Sequence, residues 1–160
     1  EYEVVVASNV FGDILSDEAS QLTGGLGFAP SGNIGQDTAL FEPSSGSVPK
    51  YAHQYRVNPC GMLLTAKMML EYLGLNAHGA KIEKAIGEVL VENKDKTLSY
   101  DVLRDFRGDP NWEKNAASTI EMATAIAQKI DPSFTGGKLE KAKAKVQDMC
   151  DWNKCLGFDE

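Results

Sequence analysis

The pattern of apolar and polar positions along the chain predicts two strands and four helices. Residues 2–7 hold three consecutive valines, a run typical of a buried strand. A helix is expected from Asp13 to Leu22, because the glycine pair 24–25 then breaks the pattern. Asn58 is a good N-cap for a second helix. Apolar residues with helical spacing, bounded by capping and breaking residues, predict the second, third and fourth helices over residues 59–73, 77–93 and 118–130.

The first two helices are separated by a long segment, residues 24–57, that is rich in turn-forming residues. A short strand is expected around Thr38 to Glu42. Loops of this length inside a compact domain are usually either functional or disordered. Apolar residues recur along the segment and favour a functional loop: Phe28, Ile34, Leu40 and Phe41.

Length and charge narrow the class of protein. A chain of 160 residues with 42% hydrophobic residues predicts one domain with a real core. The net charge of -7 argues against a nucleic-acid partner, because a phosphate backbone requires a basic surface. No apolar run reaches the roughly 18 residues that span a membrane. Three cysteines without regular spacing favour reduced thiols, as in a cytosol-like compartment.

The segment "GDILSD" places Asp13 and Asp17 four residues apart at the start of the first predicted helix. On a helix these carboxylates lie on one face and repel each other. A hard divalent cation such as Mg²⁺ would offset this repulsion. A solvated acidic face near a helix N-terminus is the alternative, and it is the commoner explanation of this spacing taken alone.

Basic and aromatic residues occur together in two segments, "SVPKYAHQYRVNP" and "SYDVLRDF". Lysine, arginine and tyrosine can together frame a phosphate, although scattered surface cations over packed aromatic stems explain the pattern equally well. The preceding "SSGSVP" turn offers backbone amides to an anion, but it is not the dinucleotide-binding G-x-G-x-x-G. The residues concerned are Lys50, Tyr51, Tyr55, Arg56, Tyr100 and Arg104.

Several of these segments together resemble one protein family. "NVFGDILSDEASQLTGGLGFAPSGNIG", "ALFEP", "PKYA", "VNP" and "MLLTAKMMLEYLG" are similar to the C-terminal half of the metal-dependent β-decarboxylating dehydrogenases. That family includes isocitrate, isopropylmalate, homoisocitrate and tartrate dehydrogenases. The resemblance covers about residues 1–130 and implies an α/β fold that is not a Rossmann fold. It implies the end of a small domain at 1–24 and part of a large cofactor-binding domain at 25–131. The tail at 132–160 goes beyond the resemblance, and a weak helical spacing of its apolar residues predicts a helical tail extension.

The resemblance also implies roles for individual residues. Asp13 and Asp17 match the ligands of a Mg²⁺ or Mn²⁺ ion. Ser45 stands where the family usually has a histidine against the cofactor, which bears on affinity and not on the binding mode. Four residues match a pocket for the 2′-phosphate of NADP: Lys50, Tyr51, Tyr100 and Arg104. Asn58 matches a residue that contacts the adenine. Three residues match the loop beside the nicotinamide ribose and phosphates: Glu42, Gly46 and Ser47.

The implied reaction is oxidative decarboxylation of isocitrate to 2-oxoglutarate, with hydride transfer to NADP. The family's catalytic residues are expected upstream of this segment, so none is assigned here and the segment alone is expected to be inactive. A homodimer is implied, with the helices after Asp13 and Asn58 near its interface, in the cytoplasm or the mitochondrial matrix. The alternatives are an isopropylmalate- or homoisocitrate-type dehydrogenase and a non-catalytic regulatory subunit of the same fold.

Overall fold

A computed structural model describes residues 3–52, 54–92, 97–137 and 140–141. The chain divides into two compact units, each built from two stretches of sequence. Unit 1 comprises Glu1–Val48 and Asn58–Lys84, and unit 2 comprises Pro49–Val57 and Ala85–Glu160. No observation tests the expected division at residues 24 and 131, which stays a prediction.

Unit 1 combines helices with a two-stranded antiparallel sheet. It contains α1 (Asn9–Ser20), β1 (Pro30–Ile34), β2 (Ala39–Pro43) and α2 (Cys60–Tyr72). Gly32 of β1 lies opposite Phe41 of β2, and α2 packs against both strands. A Cβ at Gly32 would come within 3.3 Å of Met68 and Phe41, so glycine permits this close approach.

A hydrogen bond to the Asn58 side chain and a close backbone contact lie at the start of α2. The side-chain oxygen of Asn58 accepts a hydrogen bond from the Cys60 N–H at 2.9 Å, which satisfies a helix donor that would otherwise lack a partner. At Gly61, an added Cβ would lie 3.1 Å from the Gly27 carbonyl oxygen. The cap predicted at Asn58 was therefore wrong by one residue: the N-cap is Pro59, and the helix begins at Cys60.

Unit 2 is helical. The helix α3 (Asn76–Glu92) contributes its C-terminal turns to this unit, and a π-helical turn (Val102–Phe106), α4 (Trp112–Asn115) and α5 (Thr119–Ile130) follow. Ser118 and Glu121 form a reciprocal capping box that fixes the start of α5. Buried side chains from α3, the π-helical turn, α5 and the residues just before the last two make up its core: Ala85, Ile86, Val89, Leu98, Val102, Leu103, Ala117, Met122 and Ile126.

The predicted ends of α3 and α5 agree with the structure to within about a residue, and those of α2 agree to within two. The fold also includes elements that the pattern did not predict, namely β1, the π-helical turn and α4. Residues 138–139 and 142–160 of the expected tail lie outside the described residues. None of the helices in the described ranges is long and apolar enough to cross a membrane.

The prediction of a strand at residues 2–7 was wrong for residues 3–7, which are the ones that the structure describes. Residues 3–8 have no regular structure, and Val4, Val5 and Val6 are 77%, 72% and 91% exposed. A valine run forms a buried strand only when neighbouring strands complete its hydrogen bonds, and the only described strands pair with each other. The helix α1 also begins earlier than expected, at Asn9 rather than Asp13, following extended Ser8.

Candidate functional site

Residues 117–119 hold two distant segments of unit 2 together. The Ala117 N–H donates to the Leu98 carbonyl oxygen at 2.8 Å, and the Thr119 N–H donates to the Tyr55 carbonyl oxygen at 2.7 Å. The Thr119 hydroxyl also donates to the Val57 carbonyl oxygen. These bonds place the segment around Tyr55 beside the one that begins at Leu98, although the two are far apart in sequence.

A cluster of aromatic rings forms where these segments meet. The Tyr51 and Tyr100 ring centroids are 5.3 Å apart with an interplanar angle of 64°, an edge-to-face arrangement. Trp112 of α4 adds a third ring, with its centroid 6.2 Å from that of Tyr100. The sequence segments containing the tyrosines therefore converge on one site.

Three cations surround these rings, each within the roughly 6 Å at which a cation is attracted to an aromatic face. The Lys50 ammonium is 5.5 Å from the Tyr51 centroid, and the Arg104 guanidinium is 5.5 Å from the Tyr100 centroid. The Arg56 guanidinium contacts both tyrosines, at 5.3 and 5.4 Å. We call these residues the tyrosine–cation cluster: Lys50, Tyr51, Arg56, Tyr100, Arg104 and Trp112.

The three cations differ in their acidic partners. Arg104 forms two hydrogen bonds with Asp105, from Nε at 2.6 Å and from Nη2 at 2.9 Å. These bonds lower the pKa of Asp105 and raise that of Arg104. Within the described ranges, no carboxylate forms an ion pair with Lys50 or Arg56. The cluster is therefore positively charged, and it suits an anionic ligand.

Tyr100 remains a neutral hydrogen-bond donor far into the alkaline range. Burial raises the pKa of its hydroxyl, and the neighbouring Tyr51 and Asp101 raise it further. A protonated phenol beside cations can donate to a phosphate oxygen, whereas a phenolate could only accept. The electrostatics of the site thus favour binding of a phosphate.

The two aspartates of the proposed metal pair lie in unit 1, both on α1. Both residues are exposed. The Ser16 and Ser20 hydroxyls donate to the backbone carbonyl oxygens of Asp13 and Asp17 and not to their carboxylates. Mg²⁺ typically takes one or two carboxylates and keeps waters or substrate oxygens as its other ligands, so Asp13 and Asp17 fit part of such a site. No group of three His, Cys, Asp or Glu residues among those described could complete it.

The remaining predicted cofactor residues also lie in unit 1. Glu42 is exposed on β2 and accepts a hydrogen bond from the Asn33 side chain at 3.3 Å. Gly46 and Ser47 are exposed in the irregular segment after β2, and an added Cβ at Gly46 meets nothing within 4 Å. Asn58 is 9% exposed, and its side-chain oxygen accepts a hydrogen bond from the Cys60 N–H. No observation tests the binding roles of these four residues.

Of the predicted site residues, the structure brings Lys50, Tyr51, Tyr100 and Arg104 together in one cluster. Arg56 belongs to the same cluster, although the resemblance gave it no role. Trp112 was missed, because no sequence signal relates it to tyrosines on other segments. Whether the cluster binds a cofactor stays a prediction.

Comparison with known proteins decides the family. The model of the isocitrate/isopropylmalate dehydrogenase family matches residues 1–126. The chain belongs to the isocitrate/isopropylmalate dehydrogenase family. The resemblance drawn from the sequence is thereby confirmed, together with the fold of that family and its class, the decarboxylating oxidoreductases.

Relatives with different substrates are similar to this chain. It is 53% identical over 129 residues to a 3-isopropylmalate/3-methylmalate dehydrogenase of Methanocaldococcus jannaschii, covering 81% of this chain and 34% of that protein. It is 45% identical over 130 residues to an isocitrate dehydrogenase [NADP] of Thermus thermophilus, covering 81% of this chain and 24% of that protein.

A solved structure agrees with the family assignment. The isocitrate dehydrogenase of Methylococcus capsulatus matches with a TM-score of 0.65 and 38% identity, over 76% of this chain and 33% of that one. The chain thus spans about a quarter to a third of the length of these three relatives. Their names do not agree on a substrate, so family membership leaves the hydroxy acid open.

Proposed function

We propose that this chain is the cofactor- and metal-binding part of an NADP-dependent isocitrate dehydrogenase. In the complete reaction, the 2-hydroxy acid loses a hydride to NADP⁺ and a proton from its hydroxyl, and the β-carboxylate then leaves as CO₂. The observation that carries the proposal is the tyrosine–cation cluster, which has the chemistry required for the 2′-phosphate that distinguishes NADP from NAD.

The charge of the cluster supports NADP over NAD. A free ribose hydroxyl in NAD is usually recognised by an acid, whereas a 2′-phosphate requires cations. Lys50 supplies a point charge, and Arg104 supplies a planar pair of donors. The neutral Tyr100 hydroxyl adds a donor beside them.

Unit 1 would supply the other binding functions. In this proposal Asn58 contacts the adenine, and Glu42, Gly46 and Ser47 line the nicotinamide ribose and phosphates. Asp13 and Asp17 would hold Mg²⁺ or Mn²⁺. When bound, such an ion acts as a Lewis acid on the oxygens of the hydroxy acid. The aspartates would offset the charge of the ion and fix its position.

The proposal includes a homodimer and the domain division at residues 24 and 131. The exposed apolar side chains of α1 support an interface there: Phe11, Ile14 and Leu15 are 66%, 59% and 51% exposed. Apolar residues exposed together on one helix commonly mark an interaction surface. Sedimentation equilibrium of the protein as isolated from its source tests this part of the proposal.

Cofactor preference is tested by reversing the charge of the cluster. Lys50→Asp combined with Tyr51→Ile should weaken NADP⁺ binding by about tenfold or more and favour NAD⁺, because an acid would then face the 2′ position. Binding is measured by isothermal titration calorimetry with each dinucleotide. Lys114→Asp, at an exposed position of the same unit, is the control for the charge change. An unchanged NADP⁺/NAD⁺ affinity ratio would refute the cofactor assignment.

Isopropylmalate and homoisocitrate are the second candidates for the substrate, because relatives include an isopropylmalate dehydrogenase at 53% identity. The protein as isolated from its source should reduce NADP⁺ with isocitrate and a divalent cation. Formation of NADPH is followed by its ultraviolet absorbance with each of the three hydroxy acids in turn. A higher kcat/KM with isopropylmalate or homoisocitrate would replace isocitrate in the proposal and leave the cofactor assignment intact.

A further inference from the structure

The Arg56 side chain occupies a central position in the tyrosine–cation cluster. Its guanidinium carbon lies 5.3 Å from the Tyr51 centroid and 5.4 Å from the Tyr100 centroid, and the two centroids are 5.3 Å apart. These three points form a nearly equilateral triangle, so one cation contacts both rings at once. Arg56 is half-buried, and partial removal from water strengthens an interaction of this kind.

The backbone holds Arg56 in place from both sides. Its two neighbours, Tyr55 and Val57, each accept a hydrogen bond from Thr119 at the start of α5. Tyr55 has φ of 51°, a left-handed conformation that is unfavourable for a non-glycine residue. Surrounding contacts must maintain a conformation of this kind. The Thr119 bonds are such contacts, and they direct the chain so that Arg56 meets the tyrosines.

The charge of Arg56 also differs from that of Arg104. Both guanidinium donors of Arg104 described above are engaged by Asp105. Arg56 has no carboxylate partner among the described residues. Two acids, Glu113 and Glu121, line the same cavity of about 460 Å³ as Arg56, so the charge of that cavity does not favour an anion. The tyrosine rings, with Lys50 and Arg104 beside them, are where the charge of Arg56 can act on an anion.

We propose that Arg56 is a positioning and specificity-determining residue for the 2′-phosphate of NADP, because its guanidinium contacts Tyr51 and Tyr100 together and adds a positive charge beside their rings. This inference rests on the proposed function. It assigns a role in phosphate recognition to a residue outside the four predicted from the sequence.

Two substitutions separate the charge of Arg56 from its shape. Arg56→Gln removes the charge, and Arg56→Lys keeps the charge but loses the planar group that contacts both rings. In calorimetric titrations Arg56→Gln should weaken NADP⁺ binding by about five- to tenfold, and NAD⁺ binding by less than about twofold. Arg56→Lys should recover part of the NADP⁺ affinity. Both should change the near-ultraviolet circular dichroism of the tyrosines.

The controls distinguish the possible failures. Lys114→Gln removes one exposed positive charge from the same unit and should leave both affinities unchanged. Equal weakening of NADP⁺ and NAD⁺ binding in Arg56→Gln, with a lower Tm, would show a purely structural role and overturn the inference. The inference also fails, while the proposed function stands, if Lys50→Gln weakens NADP⁺ binding and Arg56→Gln does not. Equal affinity of the unaltered protein for both dinucleotides, insensitive to Lys50→Gln, would overturn the proposed function and this inference together.

Discussion

Asp105 competes with the 2′-phosphate for Arg104 if the cluster binds NADP. The carboxylate engages the Nε and Nη2 donors of Arg104 at 2.6 and 2.9 Å, and a phosphate approaching the same edge of the guanidinium must displace it. Asp105→Asn should therefore increase affinity for NADP⁺. Binding of NAD⁺ should not change, because NAD⁺ has no 2′-phosphate to compete.

The magnitude follows from the exposure of the pair. Both side chains are 47% exposed, so their attraction is largely screened by water. Ion pairs of this kind contribute about 0.2–1 kcal/mol, which corresponds to an affinity gain of about 1.5- to 5-fold. Because screening by salt weakens exposed charge interactions, the gain should shrink as ionic strength rises.

Calorimetric titration of the Asp105→Asn protein with NADP⁺ and NAD⁺, at low and high salt, measures these quantities. Asp37→Asn serves as the matched control, because it removes one exposed carboxylate from unit 1 and changes the net charge equally. An unchanged or weaker NADP⁺ affinity in Asp105→Asn would show that Arg104 does not bind the 2′-phosphate through the donors that Asp105 engages. An equal gain in Asp37→Asn would attribute the effect to net charge alone.

Three further predictions concern the titration, the core and the metal pair. Tyr51→Phe should lower the pKa of Tyr100 but leave it above its ordinary value, because burial is the larger cause. Ultraviolet titration of tyrosinate measures this pKa, and an unchanged value would contradict an interaction between the two tyrosines. Met122→Ala should lower the free energy of unfolding by about 2–5 kcal/mol in urea titrations, because Met122 is 0% exposed. A loss below about 1 kcal/mol would contradict tight packing around Met122. Asp13→Asn should weaken Mn²⁺ binding in calorimetry by removing one anionic ligand, and unchanged affinity would count against the metal pair.

Local signals in the sequence account for the helices that were predicted well. Ser118 and Glu121 have the spacing of a capping box, and the structure contains that box at the start of α5. At the start of α2, Asn58 bonds the first helical N–H, although the N-cap itself is Pro59. These signals act within a few residues, so the sequence alone is enough to read them.

The strands depended on partners that local sequence does not specify. The valines at 4–6 have strong strand propensity, yet residues 3–8 form no strand in the structure. In contrast, β1 contains Pro30 and Gly32 and was not predicted, but it pairs with β2 along its whole length. Strand formation was therefore determined by pairing and packing rather than by propensity.

The candidate site was only partly predictable for a similar reason. The spacing of Lys50–Tyr51 and of Tyr100 and Arg104, together with the family resemblance, identified four residues that the structure brings together. The contact of Arg56 with both rings depends on hydrogen bonds to Thr119, a residue far away in sequence. No pattern within either segment could reveal that contact.

Phosphorus NMR of NADP⁺ titrated with the protein shows which phosphate the tyrosine–cation cluster recognises, because the 2′-phosphate and the pyrophosphate give separate signals. We expect the 2′-phosphate signal to shift and broaden on binding, and Lys50→Gln to diminish this change more than Lys114→Gln does. A pyrophosphate signal that changes while the 2′-phosphate signal stays as in free NADP⁺ would contradict recognition of the 2′-phosphate by the cluster.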